Sequence, residues 1–366
     1  MVHRTLLACF WVGLACRPTL AMPSDFDPQA AEARQAGLTF ANDARVFTWG
    51  LFLDEDRYYS QGLHGFWSGL PHGLAETWLP LHAFGDIVAA NAVMSMVRFG
   101  QDLFTPNDLR VTPPLIPDDR PFCGWTHLDL AERFYFNQGQ NSARLHVQVD
   151  LGVVGPASLG KEVQTWYHAK RRLTSSHPEL DPDPSLGWAH QYGAGFPGRT
   201  QLALNYARAL PSLHASQLFL VESGTEADLN AGTLYGSLGI AAQIRAGWMT
   251  RSLYTPQLQR PTSEWEAFAF ARTEAKAIGW NQIVTGEPST QVSLARFTWQ
   301  HSFGWILRGP NPWPEMSLSW SLWSRETEAK PIQPFQVGHT DYRPELQDRD
   351  AWFDHGFGTL KLAWLW

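Results

Sequence analysis

Gln164 and His168 stand four residues apart in the stretch ASLGKEVQTWYHAKRRL, from Ala157 to Leu173. In a helix that spacing puts both side chains on one face. An imidazole can take a proton at one ring nitrogen while the other nitrogen is oriented by a neighbour. Taken alone, a histidine on a helix is more often a packing or solvent-facing residue. Asn42-Asp43 offers an amide and a carboxylate oxygen side by side, and reads equally well as a turn. Glu179, Asp181 and Asp183 crowd a Pro-rich loop from Ser175 to Leu186, where acids are also ordinary solvated charges.

The element under Gln164 and His168 is a helix. Val163, Trp166 and Tyr167 fall at helical spacing, Gly155-Pro156 supplies the entry break, and Lys170, Arg171 and Arg172 suit the negative end of the dipole. The rest of the chain has a different period. In Arg144-Leu145-His146-Val147-Gln148-Val149-Asp150-Leu151, apolar and polar residues alternate, which describes a strand with one greasy and one wet face. Met316–Leu322 and Gln201–Tyr206 repeat the pattern. The chain ends with Leu360, Leu362, Trp364 and Trp366 on one strand face. Twelve strands are expected, near 36–47, 58–68, 91–104, 122–136, 142–154, 199–210, 214–223, 230–246, 266–276, 291–303, 315–324 and 355–366.

Composition narrows the class. Of 366 residues only 17% are charged, against about 25% in an ordinary soluble domain. There is no apolar run of roughly 18 or more residues, which excludes a helical membrane protein. With 44% hydrophobic residues and 18 Trp, disorder is excluded too. A net charge of −7 argues against nucleic acid as a partner. The reading that fits all of these is all-β: a twelve-stranded antiparallel transmembrane β-barrel with a helix in one extracellular loop. A soluble β-sandwich is the rival with the same alternation.

Residues 1–21 read as a secretory signal peptide. His3 and Arg4 precede the apolar stretch Thr5 to Cys16, and Thr19-Leu20-Ala21 provides small residues before a cut. A lipidation site at Leu14-Ala15-Cys16 is the other export reading. Residues 22–366 are then one outer-membrane barrel domain, in which Cys123 is a lone thiol.

The segment DLGVVGPASLGKEVQTWYH, from Asp150 to His168, resembles the lipid A 3′-O-deacylase family of outer-membrane enzymes. Further matches follow in the family's order: Ala41-Asn42-Asp43, Asp56 to Leu63, Gln101 to Pro106, Asp119 to Trp125, and Gly187 to Gln191. They cover about residues 38 to 210; the C-terminal third matches only as barrel strands. The resemblance implies an active site between the barrel wall and the loop helix. It implies calcium-dependent hydrolysis that removes the acyloxyacyl group from the 3′ position of lipid A, within lipopolysaccharide. It assigns His168 as base, Gln164 as its support or a substrate ligand, and Ser60 as a hydroxyl where the family usually has Thr. It assigns Asn42 and Asp43 as oxygen ligands of Ca2+, a hard cation. The family's further acidic residue has no direct counterpart, since its spacing from His168 falls on Thr174; counting back from Trp188 gives Asp183. The alternatives are a catalytically silent, porin-like barrel and a barrel phospholipase.

Overall fold

The computed structural model describes residues 35–42, 58–69, 88, 90–106, 120–136, 142–174, 188, 191–193, 197–214, 219–249, 253–254, 265–286, 294–310, 313–324, 335–337, 340–342 and 355–365. The expected signal segment, 1–21, lies outside them, as does Trp366. Among the described residues twelve long strands run in chain order: β1 Gln35–Asn42, β2 Tyr58–Ser68, β3 Ala92–Thr105, β4 Cys123–Phe136, β5 Ala143–Val154 and β6 Gly198–Ala209. They continue with β7 Phe219–Gly232, β8 Tyr235–Trp248, β9 Glu266–Asn281, β10 Phe297–Arg308, β11 Glu315–Trp323 and β12 His355–Leu365. Each pairs antiparallel with its sequence neighbour, and β12 pairs with β1, from Gln35↔Leu365 to Asn42↔Gly358. The sheet therefore closes and leaves no free edge, as a bilayer requires.

The alternation in the sequence has a definite sense here. In β5, Leu151 faces outward and is exposed, while Asp150 and Gln148 are buried in the lumen. The greasy face of each strand is the outer one, the reverse of a soluble sandwich. Exposed aromatics gather in two bands. Trp67, Trp248, Trp265, Trp313 and Trp364 lie at the end where the first and last strands start and finish; Trp280, Phe297 and Trp299 lie at the other. Such girdles mark the two water–lipid interfaces.

The lumen is lined by paired charges. Arg245 binds Glu222 through Nη2 at 2.5 Å, Arg308 bridges Glu315 at 2.5 Å and Glu266 at 3.3 Å, and Lys361 adds to Glu315 at 3.0 Å. Arg272 reaches Glu226 at 3.0 Å and Glu274 at 2.9 Å. Because β8 separates the strands of Arg272 and Glu226, this pair reaches over one intervening strand on the inner face of the wall.

Three strand boundaries differ from the sequence expectation. The turn expected between 223 and 230 is strand, and the reversal comes at Thr233-Leu234 instead. In Gly224–Asp228 the outward positions are small and the inward ones acidic, so the segment lacks apolar alternation. Its acids are held inside the barrel, Glu226 by Arg272 and Asp228 by Asn205 Nδ2 at 2.7 Å. β9 extends to Asn281 rather than stopping near 276, and β10 runs 297–308 rather than 291–303.

The helix also starts later than expected. Gly155–Ser158 forms a 3-10 turn, Leu159 is left-handed at φ 58°, and the α-helix, α1, is Gly160–Thr174. It rises from the end of β5, at the end of the barrel opposite the strand termini. With the longer connections at that end, it is the extracellular side.

Candidate functional site

The outer wall near α1 breaks the greasy rule. Residues directly opposite one another in a ladder share a face. One such row crosses four strands as Asn42, Gln61, Leu103 and Gly124. The next row inward along the wall is Phe40, Leu63, Gln101 and Thr126. Leu38, Leu63 and Phe99 are exposed on this same side, so both rows face outward. Polar side chains on a lipid-facing wall are expensive unless they are covered or used.

α1 and the turn before it cover part of the patch. Gln101 Nε2 donates to Ser158 O at 2.6 Å and to Thr126 Oγ1 at 3.2 Å; Thr126 Oγ1 donates to the same carbonyl at 2.7 Å. Gly124 and Gly160 allow the close approach. A Cβ on Gly124 would stand 2.2 Å from Ser158 Oγ, and one on Gly160 would stand 3.0 Å from Gly124 Cα. Beyond them Val163 packs onto a buried cluster of Leu103, Phe122 and Trp188. Full burial of such side chains contributes about 1.5–3 kcal/mol each. The helix is therefore pinned to the outer wall, with Trp166 exposed rather than on the packing face that the helical spacing suggested.

Gln164 faces the wall and is buried. Its Oε1 accepts from Trp188 Nε1 at 2.5 Å, and its Nε2 has no hydrogen-bond partner among the described residues. A buried amide donor left without a partner costs free energy, which marks the spot as one where an acceptor belongs. His168 follows one turn later on α1; it is placed by its backbone, as is Ser60. Ser60 is the extra residue of a bulge, since Tyr59 pairs with Phe104 and Gln61 with Leu103. Bulges re-aim side chains and are favoured beside active sites.

Of the residues expected from sequence, the structure brings Asn42, Ser60, Gln164 and His168 to one end of the barrel, on β1, β2 and α1. Asn42 is buried at the end of β1. Asp43 and Asp183 lie outside the described residues, together with Glu179 and Asp181. Gln61, Gln101 and Thr126 were not singled out from sequence. Their trace is faint but legible: in β3, the outward series Val97, Phe99, Gln101, Leu103 is interrupted by one amide.

The sequence matches the family described as "Outer membrane protein LpxR" over residues 6–342. Among solved structures, LpxR from Salmonella typhimurium is similar at a TM-score of 0.63 and 18% identity, covering 90% of this chain and 99% of that one. This is a likeness of fold. The translocator domain of the autotransporter NalP from Neisseria meningitidis gives a TM-score of 0.37 at 8% identity, over 99% of this chain and 94% of that one. No curated protein matches the sequence. With its twelve closed strands and two aromatic bands, the chain is a multi-pass protein of the outer membrane, and it belongs to the LpxR outer-membrane protein family.

Proposed function

We propose that this protein is an outer-membrane ester hydrolase that removes the 3′-linked acyloxyacyl group from lipid A. The observation that carries the reading is the polar, outward-facing patch of Asn42, Gln61, Gln101 and Thr126, partly covered by a helix pinned to the outer wall. A lipid ester enters such a site sideways from the bilayer, with its acyl chains against the greasy wall and its sugar toward water. A lumenal site would offer no such route.

His168 takes a proton from water as the water attacks the ester carbonyl carbon. The tetrahedral species then collapses, the sugar alcohol leaves, and the proton on His168 is available to it. Gln164, with its oxygen engaged by Trp188, offers its free amide donor to the ester or to His168. Ser60, whose backbone forms the bulge in β2, would contribute a hydroxyl where the family usually has Thr. Asn42, buried at the end of β1, would offer an amide oxygen, and Asp43 and Asp183 would add the carboxylates that Ca2+, a hard cation, prefers. When bound there, calcium supplies positive charge toward the developing oxyanion.

The test uses purified, folded protein and lipid A in detergent, with product separated by chromatography. Release of the 3′ acyloxyacyl group in calcium, lost in chelator and restored by calcium better than by magnesium, is the expected result. Full activity in excess chelator refutes the calcium site. Release of fatty acid from phospholipid, with lipid A untouched, refutes the substrate.

A further inference from the structure

The inner face of the same wall carries a second cluster. His64 of β2, Gly100 of β3 and His127 of β4 are directly opposite one another in the ladders, and face the lumen. Asp102 is two residues further along β3, on the same face. Its two oxygens lie 3.1 Å from His64 Nε2 and 3.0 Å from His127 Nε2. The three side chains are nearly sealed from solvent, at 11%, 11% and 1% exposure for His64, Asp102 and His127.

We propose that His64, Asp102 and His127 form a lumenal site for a divalent transition-metal ion, of which zinc is the closest match. The donor set is two imidazoles and one carboxylate, the mixture that zinc takes with a fourth position left for water. One ligand atom from each lies within 4.8 Å of the others. Ligands at about 2.1 Å in a tetrahedron stand roughly 3.4 Å apart, so the Asp102–His separations would open slightly and modest side-chain shifts would bring the three atoms to that spacing. His127 is also oriented as a metal ligand is. Its Nδ1 is 2.5 Å from Asp129 Oδ1, and Asp129 is held in turn by Arg98. A carboxylate behind the imidazole fixes the tautomer that leaves Nε2 with its lone pair forward. Trp125 stacks on the His127 ring at 4.3 Å between centroids, which fixes its plane.

Gly100 explains how the rings converge. It sits between the two histidines in the row, and a Cβ there would stand 2.0 Å from His64 Cδ2 and 3.1 Å from His127 Cε1. Any side chain would push the imidazoles apart. The metal would tie β2, β3 and β4 together. Asp102 and His127 each adjoin a residue, Gln101 and Thr126, that holds the α1 turn on the outer face. The site is thus a clamp behind the wall on which the lipid patch stands. Its donors differ from the oxygen set proposed for calcium, and the two succeed or fail separately.

The experiment uses the untagged full-length chain, folded in detergent, stripped with chelator and dialysed against Zn2+ or Co2+ in excess Ca2+. Metal is counted by elemental analysis, and bound cobalt is read by its visible absorption. One ion per folded chain is expected, with the intense cobalt bands of a low-coordinate site. His64→Gln and His127→Gln should each lose the ion and the bands while keeping heat-modifiable migration. Asp129→Asn, which leaves every ligand in place, should weaken binding by about 10- to 100-fold. Asn42→Ala should bind the ion normally. No bound ion in wild type overturns the proposal and leaves the cluster a network of ion pairs. Binding that survives both histidine changes, or that is lost in Asn42→Ala alone, places the ion elsewhere and overturns it as well.

Discussion

A base on a helix is useful only if the helix holds its register against the wall, and the bond from Trp188 Nε1 to Gln164 Oε1 holds it there. His168→Ala should therefore leave the barrel folded and lower lipid A hydrolysis by roughly 10²-fold or more, measured as initial rate at matched protein. His168→Asn should be nearly as damaging, because it keeps polarity but not basicity. On this mechanism the proton-free ring is the active form, so the wild-type rate should be lost on the acid side. His146 makes a control. It points into the lumen and bonds Gln148 at 3.0 Å, so His146→Ala should leave the rate unchanged. The positioning pair Gln101 and Thr126 gives a different signature. Gln101→Leu should loosen Ser158 and lower the rate several-fold without altering the pH profile. The chemistry of this site was only partly legible in sequence. Helix spacing, which is local, puts Gln164 and His168 on one face, but their roles come from the family resemblance. The outward Gln61, Gln101 and Thr126 matter through ladder register, which joins residues far apart in the chain.

At the scale of elements, the critical joint is between α1 and the outer wall. Trp188→Ala removes a member of the Leu103–Phe122–Trp188 cluster and the donor to Gln164 at once. Protease cleavage within α1 should become much faster, while the barrel still migrates as folded. Gly160→Val should do the same by steric means, since its Cβ would stand 2.7 Å from Trp188 Cη2. If either variant cleaves no faster than wild type, the helix is not held by this joint. The strands themselves were largely readable. All twelve occur in order, because a lipid-facing period of two survives in most of them. It failed in Gly224–Asp228, where inward acids and small outward residues imitate a turn. The start of α1 was misplaced for a related reason: Gly155–Ser158 begins as a tight 3-10 turn, and the left-handed Leu159 then resets the axis before Gly160.

The described strands close a barrel with an apolar outer wall and paired charges inside, several of them buried. Arg308 is the clearest case, held between Glu266 and Glu315. Arg308→Ala leaves two buried carboxylates with less to offset them, and should destabilise the barrel by about 3–5 kcal/mol, seen as a lower temperature of heat modification. The outer surface sets where the substrate comes from: two aromatic belts fix the bilayer's height, and the polar patch under α1 meets the leaflet at the extracellular belt. The most direct measurement is mass spectrometry of lipid A from cells expressing the wild-type chain, the His168→Ala variant or neither, at matched outer-membrane levels. The account predicts lipid A lighter by one 3′ acyloxyacyl group with the wild type, and full-mass lipid A in the other two. Unaltered lipid A with the wild type, or equal deacylation with His168→Ala, would contradict it.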